Sequence, residues 1–189
     1  MDTNSQTNLE IIEAQIRECF GRVVWSHKTQ EKCADIILTR HKRIKFSQIA
    51  LSALTTTGII TSIFGGNQAG LILSVVFSTI LLALNSYTKD YDLGEISQKH
   101  STAANDLWSI RESYLSLLTD LKSGILNYNS VVSRRDELQN RLSIAYRGSP
   151  RTINKAYKEA TDGLKRKLEN TCTDEEIDSF LPPELKKHI

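Results

Sequence analysis

The side chains that most often carry catalysis or bind metal are few in this chain, and their spacing suits neither task. Its four histidines form no HExxH pattern, and its three cysteines include no CxxC pair. An odd number of cysteines also argues against a disulfide framework and fits a reducing compartment. We therefore expect no enzyme activity, no metal site and no cofactor.

The densest group of reactive side chains lies in the second half of the chain. Arg111 and Glu112 are adjacent, so a helix points them in different directions, and Asp120 follows Glu112 by about two turns. This arrangement favours ion pairs and packing on a helix surface over a catalytic pocket. The functional alternative is a partner-docking or signal-transmission surface formed by Trp108, Arg111, Glu112 and Asp120.

A different chemistry is carried by hydroxyl and amide groups in the middle of the chain, from Phe46 to Thr88, where no Lys, Arg, Asp, Glu or His occurs. In a membrane such groups avoid lipid and face either a partner helix or a water-filled lumen. The sequence leaves both possibilities open, as packing contacts or as pore lining. The candidates are Gln48, Ser52, Thr55, Ser62, Ser74, Ser78 and Asn85.

These polar groups must be positioned by two apolar helices, because the uncharged stretch is interrupted only by a glycine-rich turn. The pattern predicts spans at 46–64 and 69–88 with an external turn at 65–68, together a membrane hairpin over 46–88. Each span is long enough to cross about 30 Å of hydrocarbon. The alternative is a buried hairpin in a soluble bundle, but soluble helices normally keep a charged stripe.

Basic residues on one side of the hairpin predict its orientation. Lys and Arg near the ends of spans favour the cytoplasm, and the turn carries no charge, so both termini are expected to be cytosolic. The same basic run suits anionic lipid headgroups. Aromatic residues at the end of the second span fit an interfacial belt. The expected membrane-interface residues are Arg40, Lys42, Arg43, Lys45, Tyr87, Lys89 and Tyr91.

The remainder of the chain predicts an all-α fold with long coiled-coil-like cytosolic helices. From Leu93 to Ala145, apolar residues alternate at spacings of three and four, which indicates one long cytosolic helix over 89–148 with a possible bend near Gly124. A weaker version of this pattern marks 1–45 as an N-terminal cytosolic helix packed antiparallel on it. A homo-oligomer is expected to close a seam formed by Leu107, Ile110, Tyr114, Leu117 and Leu121.

The last segment, 149–189, is predicted to hold short helices. Ser149 and Pro150 suit a helix start, and Thr173 with Glu176 has the spacing of a capping box.

Several blocks of this sequence resemble the SLATT domain, a family of two-transmembrane effector domains. The most distinctive block runs from Leu107 to Leu121, and the likeness covers nearly the whole chain. The other blocks that carry it are Trp25–Thr29, Ile49–Thr56, Tyr87–Glu95, Tyr146–Thr152 and Glu176–Pro182.

The resemblance implies a membrane-perturbing or pore-forming effector of a bacterial antiphage or conflict system, located in the inner membrane. It also implies a separate partner that supplies the signal, namely a nucleotide synthase or a reverse transcriptase system. The net charge of +2 gives no sign of direct nucleic-acid binding. The alternative is a membrane-anchored coiled-coil scaffold that positions a partner protein without forming a pore.

Overall fold

The computed structural model describes residues 3–66, 68–182 and 186, and the regular elements of this part are all helices, which confirms the all-α prediction. Asn67 of the predicted turn, residues 1–2 of the N-terminal region, and residues 183–185 and 187–189 of the C-terminal region lie outside the described residues. The elements are α1 Thr3–Gly65, α2 Gln68–Asp90, α3 Leu93–Lys122, α4 Tyr128–Gly148, α5 Asn154–Lys165 and α6 Asp174–Phe180.

Helix α1 is a single helix of 63 residues that contains both the N-terminal region and the first apolar span. The sequence from Thr3 to Gly65 holds no proline, so every residue can donate its backbone hydrogen bond. Its length is about 95 Å at 1.5 Å per residue. Helix α1 therefore joins the membrane hairpin directly to the rest of the fold.

The prediction of one long helix over 89–148 is wrong at two places. The first break follows α2, where Asp92 caps α3: its Oδ1 accepts hydrogen bonds from the backbone N–H of Gly94 at 2.9 Å and of Glu95 at 3.0 Å. A side chain that satisfies the first N–H groups of a new helix favours a fresh start over continuation. Only Tyr91 and Asp92 separate α2 from α3.

The second break reverses the chain at Gly124, close to where a bend was expected. Gly124 has φ +69°, a left-handed conformation that glycine adopts without steric cost. The N–H of Gly124 donates to Leu121 O at 3.1 Å and that of Ile125 to Asp120 O at 3.3 Å, which is the Schellman pattern that ends a helix. Asn127 then caps α4 through Ser130 N–H at 2.9 Å.

Helix α4 folds back antiparallel to α3, and the first half of α1 completes a three-helix bundle. The oligomerisation seam that the heptad predicted between chains is filled within one chain: Leu107, Ile110, Tyr114 and Leu117 are buried, and Leu121 packs at the edge. The heptad marks a stripe that needs covering but does not say by which chain. The covering residues are Ile12, Ile16, Cys19 and Val23 of α1 with Val131 and Leu138 of α4.

Helix α5 packs on the middle of α1 through small residues. Ala156, Ala160 and Gly163 are buried, and the loop after α5 is held by Glu169, whose carboxylate lies 3.0 Å from Lys28 Nζ and 3.4 Å from Lys32 Nζ. Helix α6 begins at the predicted capping box, in which Thr173 and Glu176 each cap the other's backbone N–H.

Candidate functional site

The two apolar spans, formed by the end of α1 and by α2, leave their outer surfaces uncovered. Phe46 is 73% exposed and Ile63 is 70% exposed, and almost nothing in the most apolar part of either helix is buried within the chain. The core helix of a soluble protein would be mostly buried. Both helices are long and apolar enough to cross a membrane.

The two spans touch at a close crossing of glycines. A Cβ placed on Gly58 would lie 2.9 Å from Gly70 O, and one placed on Gly70 would lie 2.9 Å from Gly58 O. Real Cβ atoms essentially never come so near a backbone oxygen, so only glycine fits here at this helix separation. Small residues at a crossing let helix backbones approach closely in lipid.

Polar candidates in the spans divide between the interior and the surface of the hairpin. Ser74 is 3% exposed, and its hydroxyl lies 3.0 Å from Thr55 O on the other span and 2.8 Å from Gly70 O on its own. Within one chain Ser74 is therefore a packing residue, and its prediction as a pore-lining residue stays a prediction. Gln48, Thr55 and Ser62 are half-buried.

A second contact between the spans lies near the end of the hairpin that adjoins the bundle. Gln48 Nε2 donates to Asn85 Oδ1 at 2.9 Å and to Thr88 Oγ1 at 3.2 Å. A hydrogen bond between side chains satisfies polar groups that lipid could not.

Ser52 and Ser78 are exposed and lie on the same side of the hairpin as the hydrogen bond between Gln48 and Asn85. Ser52 and Thr56 follow Gln48 by one and two turns, and Ser78 precedes Asn85 by two turns, so all three share the side on which Gln48 meets Asn85. All three are exposed. We call the surface of Ser52, Thr56 and Ser78, edged by Asn85, the polar flank.

The hydroxyls differ in how their hydrogen-bonding capacity is used. Thr56, Thr57 and Thr79 each donate to the carbonyl four residues earlier on their own helix, at 2.9 to 3.0 Å. The Ser52 and Ser78 hydroxyls have no partner within the described part of the chain. In lipid an unpaired hydroxyl is unfavourable, so these two need water or another molecule.

The predicted membrane-interface residues gather where the hairpin meets the bundle. Arg40, Lys42, Arg43, Lys45 and Lys89 are all exposed. The two tyrosines of the set, Tyr87 and Tyr91, stack on each other at 5.3 Å. The Arg40 guanidinium lies 5.8 Å from the centre of the Tyr87 ring.

The four residues predicted to form a partner surface are not equally available. Trp108 is 51% exposed. Asp120 is bound to Arg134 of α4 at 2.7 Å, so it holds the α3–α4 pair together. Arg111 and Glu112, expected to point apart, form an ion pair at 3.6 Å.

Two histidines are buried between α1 and α3. His100 Nδ1 lies 2.5 Å from Gln30 Oε1, and Gln30 Nε2 donates to Pro150 O at 3.2 Å, which ties three parts of the fold together. His27 Nε2 lies 3.6 Å from Glu31 Oε1. Burial lowers the pKa of both histidines, and at His27 the nearby Arg111 lowers the pKa further while Glu31 opposes the change.

Two clefts of the bundle are both lined by Tyr146. One, of about 500 Å³, is lined by Trp25, Tyr157 and Arg151 among others; the second, of about 480 Å³, lies between Arg22 and Arg147. Trp25 stacks on Tyr157 at 5.7 Å. The sequence analysis assigned none of these residues to a site, because they come together only when α4 and α5 fold onto α1.

The fold and the hairpin together define a helical membrane protein with two spans and a helical bundle built on the same long helix. The chain belongs to the SMODS and SLOG-associating 2TM effector domain family 4, whose family model matches residues 12–176. The matched range covers the hairpin, the bundle and the start of α6. No curated protein matches the chain, and no solved structure matches it.

Proposed function

We propose that this chain is the membrane effector of a bacterial antiphage or conflict system, and that its activation leads to an oligomer that forms a pore in the membrane or otherwise perturbs it. The observation that carries the proposal is the match to a family of two-transmembrane effector domains over a range that includes both spans. Loss of membrane integrity would stop the growth of an infected cell.

The oligomer in this proposal forms through the hairpin. Two spans cannot enclose water, so a pore needs several chains. The bundle seam is already filled within one chain, whereas the outer surfaces of the spans are uncovered. The polar flank offers hydroxyls that would be satisfied by water in a lumen.

The proposed location is the bacterial inner membrane, with both termini in the cytoplasm. The exposed basic residues Arg40, Lys42, Arg43 and Lys45 support this orientation, because they lie at the end of the hairpin that adjoins the bundle. The bundle would then be cytoplasmic and able to meet a signalling partner.

A separate protein is proposed to supply the signal, from a nucleotide synthase or a reverse transcriptase system. The family description, which names association with SMODS and SLOG, supports a partner of the first kind. The exposed Trp108, with Glu112 beside it, is the surface of the bundle proposed for docking. Neither catalysis nor direct nucleic-acid binding belongs to this function.

The second candidate function is a membrane-anchored scaffold. A bundle closed within one chain that exposes Trp108 would suit positioning a partner, with spans that serve only as an anchor. The two functions differ in whether the polar flank is needed: a pore requires it for conduction, whereas an anchor does not.

The deciding experiment is dye uptake and growth in cells that express the chain at a high level or with its native partner. Ser52→Ala, Thr56→Val and Ser78→Ala together remove the polar flank but keep both spans apolar, so insertion should survive while dye uptake falls. The matched control is Thr57→Val with Thr79→Val, which removes hydroxyls that are already bonded to their own helix and lie off the flank.

Uptake lost in the flank variant and kept in the control supports the pore. Growth arrest with an intact membrane potential in the wild type and in both variants would exclude the pore and favour the scaffold. Crosslinked oligomer size, measured on the same samples, separates a lost lumen from lost packing.

A further inference from the structure

The polar flank ends in a lysine on each helix at its cytosolic end. Lys45 precedes Gln48 by three residues and Lys89 follows Asn85 by four, so each lysine shares the side on which Gln48 and Asn85 are hydrogen-bonded at 2.9 Å. Both lysines are exposed. Both helices therefore carry a positive charge at the cytosolic end of the polar flank, which would be the cytosolic mouth of the proposed pore.

No acidic group opposes these lysines along the spans, since Asp and Glu are absent from Phe46 to Thr88. The nearest acids are Asp90, directly after Lys89, and Asp92. The Asp92 carboxylate is engaged by the first N–H groups of α3, which carry partial positive charge. Arg40, Lys42 and Arg43 outweigh these two acids at the same level, so the mouth is net positive.

The polar groups of the flank can donate hydrogen bonds to an anion. Asn85 Oδ1 accepts the hydrogen bond from Gln48, which leaves the Asn85 amide N–H groups free to donate. The Ser52 and Ser78 hydroxyls have no partner in the described part of the chain. N–H and O–H donors can solvate an anion, but the hydroxyl oxygens can also accept, so the sign of the preferred ion is set by the lysines.

We propose that the polar flank conducts anions in preference to cations, with Lys45 and Lys89 setting that preference at the cytosolic mouth. This inference rests on the proposed pore function and names its permeating class. Rings of lysine or arginine select anions in other pores by the same electrostatics. The proposal specifies only the charge of the permeating ion, and chloride is the probe.

The test is the reversal potential of the full-length chain reconstituted in bilayers of uncharged lipid across a KCl gradient. The reversal potential of the wild type should be shifted from zero toward the equilibrium potential of chloride. Lys45→Gln and Lys89→Gln should each reduce the chloride-to-potassium permeability ratio, and together by about twofold or more. Neutral glutamine is chosen so that insertion is disturbed as little as possible.

The matched control is Arg43→Gln, which removes one exposed positive charge at the same level. Arg43 precedes Gln48 by five residues, so a helix turns it to the other side of the hairpin. A chloride preference that falls with Lys45→Gln and not with Arg43→Gln supports the inference.

A reversal potential shifted toward the equilibrium potential of potassium would overturn the anion inference. Equal effects of Lys45→Gln and Arg43→Gln on the permeability ratio would overturn it too. Either result would leave the proposed pore unaffected. Absence of any current from chain that is inserted, as judged by protease protection, would remove the pore and the inference with it.

Discussion

Ser74 and Ser78 are four residues apart on one span, yet the structure gives them different surroundings. Ser74 sits at the glycine crossing and is bonded across the hairpin, whereas Ser78 is exposed beside it on the polar flank. A difference of 40° around the helix is enough to move a side chain from the interface to its edge. At the residue scale, the residues of the glycine crossing and those of the polar flank are therefore separate sets that can be substituted separately.

At the glycine crossing, Gly70→Ala should weaken the hairpin. Its Cβ would lie 2.9 Å from the backbone oxygen of Gly58, so the spans must move apart, at a cost of about 1–3 kcal/mol for an overpacked contact. The measurement is SDS-induced separation of the spans, followed by energy transfer between probes placed on them. Gly65→Ala is the control, since nothing lies within 4 Å of its added Cβ; equal losses in both variants would contradict the crossing.

The buried histidines predict that the bundle loses stability in mild acid. Their pKa values are lowered by burial from an ordinary value of 6.5, so the unfolded chain binds more protons than the folded one as pH falls. The contribution of the neutral histidines to the free energy of unfolding is fully present when the pH is above their ordinary pKa. It is lost as the pH falls through the lowered pKa of the folded state. Thermal unfolding in detergent, compared between about pH 8 and about pH 5, measures it.

His27→Gln should flatten this pH dependence, because it removes one of the two buried protonation sites, the one that lies near Arg111 and Lys28. His41→Gln is the control, since His41 lies outside the α1–α3 core at the membrane end. A pH profile that both substitutions change alike would assign the effect to other groups.

At the scale of elements, the heptad of α3 serves a bundle within one chain. Leu107 and Leu117 contact α1 and α4 residues, and the chain reversal at Gly124 brings α4 back to cover the same stripe. Ion pairs and hydrogen bonds across the reversal, such as Arg134 with Asp120 and Arg141 with Ser109, fix the antiparallel register. The bundle therefore needs no second copy to bury its core.

Leu107→Ala should accordingly destabilise the monomer. Loss of a fully buried leucine costs about 2–5 kcal/mol, which chemical denaturation in detergent measures. Leu115→Ala, on the exposed face of the same helix, should change stability by less than about 0.5 kcal/mol. Lower oligomer mass for Leu107→Ala at unchanged bundle stability would instead support the seam between chains that the heptad suggested.

At the scale of the whole molecule, α1 couples the two parts of the protein. Its first half lies in the bundle core and its last third forms a membrane span, with no break between them. Helix α2 joins α3 through only Tyr91 and Asp92. A change in the packing of α1 against α3 would thus reach the hairpin through one continuous helix and one short hinge.

The orientation of the whole molecule is tested by cysteine labelling. In a chain with Cys172→Ser, a cysteine at Gln68 should react with a membrane-impermeant reagent added to spheroplasts, and one at Arg147 should react only after lysis. Cys19 and Cys33 can stay, because both are buried. Labelling at Arg147 but not at Gln68 in intact spheroplasts would reverse the topology.

Local patterns in the sequence were enough to predict several features. The uncharged run from Phe46 to Thr88 marks the hairpin, because a missing charged stripe is a property of each helix by itself. The capping box at Thr173 and the bend expected near Gly124 are likewise local; the structure confirms the box, and at Gly124 it has a helix end in place of a bend. The resemblance carried by Leu107–Leu121 and the other blocks agrees with the family match over residues 12–176.

Other features were decided only by the tertiary structure. A heptad shows that Leu107 and Leu117 must be covered, but the partner, whether α1, α4 or another chain, depends on where the chain reverses. A polar spacing predicts that Ser52, Ser74 and Ser78 avoid lipid, but which of them face the other span depends on the crossing set by Gly58 and Gly70. Both outcomes depend on contacts between residues far apart in sequence, and periodicity records only one helix at a time.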